Sequence, residues 1–227
     1  MDISLYYHEK GSGAPLILLH GNGENSGYFK NQISFFSKSF RVIAVDTRGH
    51  GRSPRGTAPF TISQFAEDLR CFMDSKGIGR ASILGFSDGA NIAITFALKY
   101  PQRVDRLILN GGNLDPSGVK SCVQIPIVIG YKLASLFSSG SEKARKNADL
   151  LRLMAKEPQI NAAELSKIKA RTLVIAGTRD MIKESHTRLI AESIPDSRLV
   201  FIKGDHFIAE KNPSEFNSAA AQFFNER

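Results

Sequence analysis

The sequence predicts an α/β protein with a doubly wound, mostly parallel sheet and a small helical cap. Short apolar runs alternate along the chain with segments whose apolar residues recur at helical spacing. This alternation is typical of parallel sheets built with right-handed crossovers. Most of the short runs are apolar throughout, as expected for strands that are covered on both faces.

Seven segments are predicted to be strands. Six are continuous apolar runs, at residues 16–19, 41–45, 81–84, 106–109, 172–176 and 198–202. The first segment, residues 4–8, alternates apolar and polar positions and is predicted to be an antiparallel edge strand. Between the strands, apolar residues at helical spacing predict helices over 28–37, 63–75, 89–99, 183–194 and 213–224.

The alternation stops between residues 113 and 168. This stretch contains an apolar run at 124–129, a polar segment at 138–141 and a charged helical pattern that continues to residue 154. We interpret it as a mostly helical cap inserted into one domain that spans residues 1–227. The polar segment would be a hinge or a loop within the cap.

Length and composition indicate a soluble globular protein. The chain has 227 residues, of which 42% are hydrophobic and 23% charged. Its apolar runs are far shorter than the roughly 20 residues that span a bilayer. The first residues, 1–4, lack a secretory signal pattern, so we expect a cytoplasmic protein. Cys71 and Cys122 provide neither a disulfide framework nor metal-ligand spacing, and no metal is predicted.

The basic charge balance points to no particular partner. The net charge is +8, but the basic residues are scattered, so no nucleic-acid partner is expected. Residues 116–168 hold eight Lys or Arg and four Asp or Glu, a local excess of +4. One hypothesis is that this cap favours neutral or anionic substrates; solvated helix faces explain the count equally well.

The pentapeptide Gly85-Phe86-Ser87-Asp88-Gly89 follows a predicted strand and opens a predicted helix. This is the context of a nucleophile elbow, where small residues two before and two after the serine allow a tight turn. Ser87 is therefore the candidate nucleophile. Phe86 could line an acyl pocket or pack in the core. The Asp88 carboxylate could interact favourably with the helix dipole, or it could give the floor of the pocket a negative charge.

A serine hydroxyl needs a base that an acid orients. Asp180 follows the predicted strand 172–176, and His206 follows the strand 198–202. Both lie at carboxyl ends of strands, as Ser87 does, so they are the candidate acid and base. Asp115 is the alternative acid, and Asp205 is interpreted as a loop residue.

The other histidines are assigned structural positions. His20, at the end of a strand, is expected to hydrogen-bond and shape the loop that follows it. His50 is expected in a structural turn, His186 on the surface of a helix and His8 on the edge strand.

An oxyanion hole would complete the catalytic group. One donor is predicted to be the backbone N–H of Asp88, at the start of a helix. The second is predicted to be the backbone N–H of Asn22, in His20-Gly21-Asn22-Gly23, where glycines allow the backbone to approach the substrate closely.

Together these residues resemble the α/β-hydrolase family over nearly the whole chain. The segment Asp46-Thr47-Arg48-Gly49-His50-Gly51-Arg52-Ser53 is very typical of that family and structural in it. The Ser-Asp pair at the elbow is similar to the valacyclovir-hydrolase-like esterases. The resemblance implies a triad of Ser87, Asp180 and His206, an oxyanion hole at Asn22 and Asp88, and no cofactor.

The expected reaction is hydrolysis of a small-molecule carboxylic ester through an acyl-enzyme, with an amide or a thioester as less favoured substrates. The same triad serves C–C bond hydrolases, lyases and acyltransferases, and some members of the family are ligand-binding receptors. The motifs do not separate these alternatives, and they carry no signal for an oligomeric state.

Overall fold

The computed structural model describes residues 2–226; Met1, part of the N-terminal segment discussed above, and Arg227 lie outside the described residues. Seven strands form one sheet in the order β1-β3-β2-β4-β5-β6-β7, in which β1 is antiparallel to β3 and the other pairs are parallel. The predicted fold class is therefore confirmed. The strands are β1 Tyr7–Lys10, β2 Pro15–Leu19, β3 Arg41–Val45, β4 Ala81–Phe86, β5 Val104–Asn110, β6 Arg171–Gly177 and β7 Ser197–Ile202.

Helices flank the sheet and connect its strands. They are α1 Lys30–Phe36, α2 Ile62–Ser75, α3 Asp88–Lys99, α4 Ser121–Leu136, α5 Glu142–Lys156, α6 Glu184–Ser193, α7 Ile208–Lys211 and α8 Pro213–Asn225. The five predicted helices all form, with boundaries within a few residues of the prediction.

The antiparallel edge strand begins later than predicted. Residues 4–8 were expected to form it, whereas β1 starts at Tyr7, which pairs with Val45 of β3. Ile3 and Leu5 pack in the core without joining the strand ladder. Their burial produces the alternating pattern, and the pairing with β3 decides where the strand starts.

The sheet separates two hydrophobic cores. In β2, Ile17 and Leu19 belong to one core, while Leu16 and Leu18 belong to the other. Side chains of a strand point alternately to its two faces, so a strand covered on both sides must be apolar at every position. This explains the continuous runs in the sequence.

The segment between β5 and β6, called the β5–β6 segment below, is built differently. Its first long helix, α4, has no buried residue and packs mainly on α5. Among residues 2–226, five of the seven exposed large hydrophobic side chains lie on α4 or at its end: Ile125, Ile129, Leu133, Leu136 and Phe137. Among residues 2–226, no helix is both long and apolar enough to cross a membrane.

Candidate active site

Ser87 occupies a strained turn between β4 and α3. Its φ of 53° and ψ of −119° make it the one non-glycine residue with positive φ in the range 2–226. A Cβ atom on Gly85 would lie 2.3 Å from the Gly89 carbonyl oxygen, and one on Gly89 would lie 1.9 Å from the Leu19 carbonyl oxygen. Both positions therefore require glycine. Strain of this kind persists only where the surrounding structure holds it.

Asp180 and His206 form a buried pair. The Nδ1 atom of His206 lies 2.7 Å from Oδ1 of Asp180, which also accepts a hydrogen bond from the Ile182 N–H at 2.9 Å. Since the carboxylate accepts at Nδ1, the proton lies there and Nε2 is left as an acceptor. Within residues 2–226, Nε2 has no hydrogen-bond partner. The His206 ring lies 4.8 Å from the ring of Phe86, the residue before Ser87.

The two other candidate carboxylates, Asp115 and Asp205, contact groups other than His206. Asp115 accepts a hydrogen bond from the Ser117 N–H at 2.7 Å. Asp205 accepts from the Phe207 N–H and forms an ion pair with Lys211. Neither side chain is hydrogen-bonded to His206, so the structure pairs this histidine with Asp180 alone among the three candidates.

The loop after β2 lies beside the elbow. A Cβ atom on Gly21 would come within 3.1 Å of the Ser87 Cβ. Asn22 donates from its side chain to Oδ2 of Asp88 at 3.0 Å and to the Leu150 carbonyl at 3.1 Å. In the described part of the chain, the backbone N–H groups of Asn22 and Asp88 donate to no protein acceptor. Both are therefore available to a bound group.

His20 holds this loop in place. Its Nδ1 donates to the Gly21 carbonyl at 2.7 Å, and its Nε2 accepts from the Thr47 N–H at 3.0 Å. Burial lowers the pKa of His20, which favours the neutral ring that this pattern needs. Burial also lowers the pKa of His50, to about 3.

The expectation that His186 lies at the surface is wrong. The side chain is buried, and its Nε2 accepts a hydrogen bond from the Leu114 N–H at 2.9 Å. His186 lies four residues before Ile190, which is in the core, and so shares its helix face. The four-residue spacing to Ile190 was the sequence signal that indicated burial of His186.

Phe86 packs in the core: it is 1% exposed and stacks on Tyr28 at 4.3 Å. The family-typical segment is also built into the interior, since the fully buried Arg48 pairs with Asp68 at 2.7 Å and with Asp2 at 2.6 Å.

The Asp88 carboxylate lies in the cavity above Ser87. Burial raises its pKa to about 6, and the nearby charge of Glu157 adds to this effect. Hydrogen bonds from the side chains of Asn22 and Asn91 oppose the rise. The sequence left two interpretations of Asp88 open, and the structure shows a carboxylate that faces the cavity as well as opening α3.

The cavity is small and acidic. Its volume is about 30 Å³, and it is lined by the elbow, the loop after β2, the β5–β6 segment and the loop after β6. Two carboxylates, Asp88 and Glu157, line it, whereas no Lys or Arg of residues 2–226 does. The excess positive charge of residues 116–168 therefore does not reach the cavity. Within the same residues, no group of three or more His, Cys, Asp or Glu side chains could hold a metal ion.

Comparison with known proteins agrees with the fold. Residues 14–127 match the family model of the alpha/beta hydrolase fold. The chain belongs to the α/β-hydrolase family. It is 27% identical to a putative carbamate hydrolase, RutD, of Azorhizobium caulinodans, over 99% of this chain and 96% of that protein. It is 28% identical to the 2-hydroxy-6-oxo-6-phenylhexa-2,4-dienoate hydrolase of Comamonas testosteroni, over 100% of this chain and 93% of that enzyme.

Solved α/β-hydrolase structures resemble the whole chain. The crystal structure of a hydrolase from Pseudomonas aeruginosa PA01 superimposes with a TM-score of 0.81 at 26% identity, over 99% of this chain and 95% of that one. The chain is thus similar to family members along its full length, the β5–β6 segment included.

Proposed function

We propose that the protein is a serine hydrolase that cleaves a carboxylic ester through an acyl-enzyme. One observation carries the proposal: a buried Asp180–His206 pair leaves Nε2 unpaired, close to a strained serine turn. A histidine in this tautomer can accept the serine proton, and the carboxylate stabilises the imidazolium that forms.

The proposed reaction has two halves. His206 takes the hydroxyl proton as Ser87 attacks the ester carbonyl, and the oxyanion accepts hydrogen bonds from the N–H groups of Asn22 and Asp88. The alcohol leaves with the proton from His206, which gives the acyl-enzyme. Water, deprotonated by His206, then attacks the acyl group, and Ser87 recovers its proton as the acid is released. Each oxyanion donor contributes about 3 kcal/mol where it has been measured.

The lining of the cavity supports a neutral or cationic substrate. The Asp88 carboxylate would repel an anionic acyl group, and no described cationic side chain lines the cavity. Glu157 adds less repulsion, because its Oε1 pairs with Arg152 at 3.6 Å outside the lining. We therefore replace the hypothesis of neutral or anionic substrates by one of neutral or cationic substrates. A cavity of about 30 Å³ holds about two water molecules. We therefore propose that the β5–β6 segment acts as a cap and moves to admit an ester.

Hydrolysis of a C–C bond is the second candidate, favoured by the likeness to the dienoate hydrolase. That relative is named for a carboxylate substrate, which the acidic lining of this cavity disfavours. A carbamate, as named for the first relative, has an ester-like carbonyl and is compatible with the same serine chemistry.

A fluorophosphonate probe tests the nucleophile. It should label the wild-type protein and Ser87→Ala should abolish labelling, whereas the control Ser121→Ala, at an exposed serine near the cavity, should label normally. Persistent labelling of Ser87→Ala would refute the assignment.

A substrate panel tests the reaction and the charge preference. It contains p-nitrophenyl esters with neutral, cationic and anionic acyl groups of increasing length, a p-nitrophenyl carbamate, and 2-hydroxy-6-oxo-6-phenylhexa-2,4-dienoate, the compound named for the second relative. Neutral and cationic esters should exceed anionic ones in kcat/KM by at least about tenfold, which corresponds to 1.4 kcal/mol. A preference for anionic esters would contradict the proposed specificity, and turnover of the dienoate alone would favour the second candidate.

A further inference from the structure

The start of the β5–β6 segment is bound to the loop that carries Asp180. We call residues 117–120 the strap and residues 178–183 the acid loop. Val119 and Ile182 form an antiparallel β-bridge. The Lys183 N–H donates to the Gly118 carbonyl at 2.8 Å, and the Lys120 N–H donates to the Met181 carbonyl at 2.9 Å. The strap therefore runs beside the acid loop as a short second strand, immediately before α4 begins.

Lys120 makes a further contact with this loop. Its ammonium Nζ lies 2.5 Å from the carbonyl oxygen of Asp180. Together with the backbone bond to Met181, Lys120 thus donates to two consecutive carbonyl groups of the acid loop. One of the donors is charged, and charge-assisted hydrogen bonds are roughly twice as strong as neutral ones.

The Asp180 carboxylate depends on the backbone that Lys120 holds. Its Oδ1 accepts from His206 and from the Ile182 N–H, which is part of the same loop. Its Oδ2 is buried and has no partner in residues 2–226. The carboxylate is therefore oriented through the acid loop, because a rotation of the peptide group after Met181 would take the Ile182 N–H away from Oδ1.

We infer that Lys120 is a positioning residue for the Asp180 carboxylate, so that the last residue of the strap and the acid of the triad are held as one unit. The inference rests on the proposed function of Asp180 and His206. Lys120 itself lines no part of the cavity above Ser87 and acts through Asp180. Cap opening that preserves the triad must then bend the chain after residue 120.

Lys183 offers a matched control. Its ammonium also donates to a backbone carbonyl, that of Ser117, at 2.8 Å, and it joins the same two segments. The difference is direction: Lys183 reaches from the acid loop to the strap, so its side chain holds no carbonyl group of Asp180 or Met181. If the contacts between strap and loop served stability alone, loss of either ammonium would have similar effects.

The experiment compares Lys120→Met, Lys120→Arg and Lys183→Met with the wild type. For Lys120→Met we expect kcat on a neutral p-nitrophenyl ester to fall about 10- to 100-fold, because small misplacements of catalytic groups cost that much. KM should stay within about twofold, since Lys120 does not line the cavity. The low-field proton NMR signal of the His206 Nδ1–H should shift or broaden. Lys120→Arg should recover most of kcat, and Lys183→Met should retain both kcat and the signal.

Two results would overturn the inference: an unchanged kcat and NMR signal in Lys120→Met, or equal losses in Lys120→Met and Lys183→Met. If Lys120→Met does not fold, Lys120→Gln, which retains a neutral donor, is measured against the same control. Asp180→Asn distinguishes a failure of the proposed function from a failure of the inference about Lys120. If it leaves kcat unchanged, the proposed function fails; if it abolishes turnover while Lys120→Met does not, only the inference about Lys120 fails.

Discussion

Helices α3 and α4 both border the cavity above Ser87, yet they are held in opposite ways. Helix α3 has 12 residues, of which eight are buried, and its first turn lies directly against the backbone of β2. Helix α4 has 16 residues and buries none of them. The elbow is thus held by direct contact between backbone segments, which leaves no room for a Cβ atom at Gly89. The β5–β6 segment contributes cavity walls from side chains on a lightly packed helix, so its surface can change without disturbing the nucleophile.

The largest expected effect is on kcat and comes from substitution of Asp180, at the edge of the sheet. Asp180→Asn should lower kcat about 10⁴-fold, because the amide no longer favours the histidine tautomer that can accept the serine proton. Asp205→Asn, beside His206 but paired with Lys211, should stay within a few-fold of the wild type. Steady-state kinetics on one ester measures both. Similar losses in the two variants would break the assignment of the acid.

A glycine-to-alanine substitution should change the free energy of unfolding in opposite directions in the two helices. Gly89→Ala should destabilise the protein by about 3 kcal/mol or more, since the new Cβ would lie 1.9 Å from the Leu19 carbonyl oxygen. Gly130→Ala in α4 meets only the Leu151 side chain, at 3.8 Å, and should stabilise by about 0.5–1 kcal/mol through helix propensity. Urea denaturation checks both values; a stabilised Gly89→Ala would contradict the backbone contact.

The Asp88 carboxylate should make stability depend on pH. Its pKa is raised from 3.8 to about 6 in the folded protein, so between these values the folded state holds a proton that the unfolded state has lost. Stability then falls as pH rises from 4 to 6, by at most about 3 kcal/mol at 1.36 kcal/mol per pKa unit. Asp88→Asn should remove this part of the pH dependence. Equal slopes for both proteins in denaturation series at pH 4–7 would show that the carboxylate is not buried as described.

The smallest effect is expected on the exposed face of α4. Leu133→Ser should change the free energy of unfolding by no more than about 0.5 kcal/mol, because the side chain is 57% exposed. Leu84→Ala, at a fully buried position of β4, should cost about 2–5 kcal/mol. Chemical denaturation of the pair measures the contrast between the two regions. A large loss in Leu133→Ser would mean that this face is covered in solution.

Much of the site could be predicted because it lies at strand ends. Ser87, Asp180 and His206 each follow a continuous apolar run, and the carboxyl ends of parallel strands meet at one edge of the sheet. Glu157 and Lys120 had no such signal. They lie in the β5–β6 segment, where charged residues are numerous and helical spacing does not tell which of them faces the sheet. His186 was misplaced for a different reason: its spacing to Ile190 indicated the buried face of the helix, but only the structure shows the Leu114 N–H that makes burial of its ring favourable.

The sequence by itself determined the parallel sheet, the elbow and the order of the candidate triad, because these depend on local patterns: continuous apolar strands and glycines on both sides of Ser87. The tertiary structure alone decided which carboxylate meets His206, the acidity of the cavity and the link from Lys120 to the acid loop. These features depend on contacts between segments far apart in the chain, such as Lys120 and Asp180, 60 residues apart, or Asp180 and His206, 26 residues apart. No local pattern records such distances; they arise only when the sheet brings the loops to one edge.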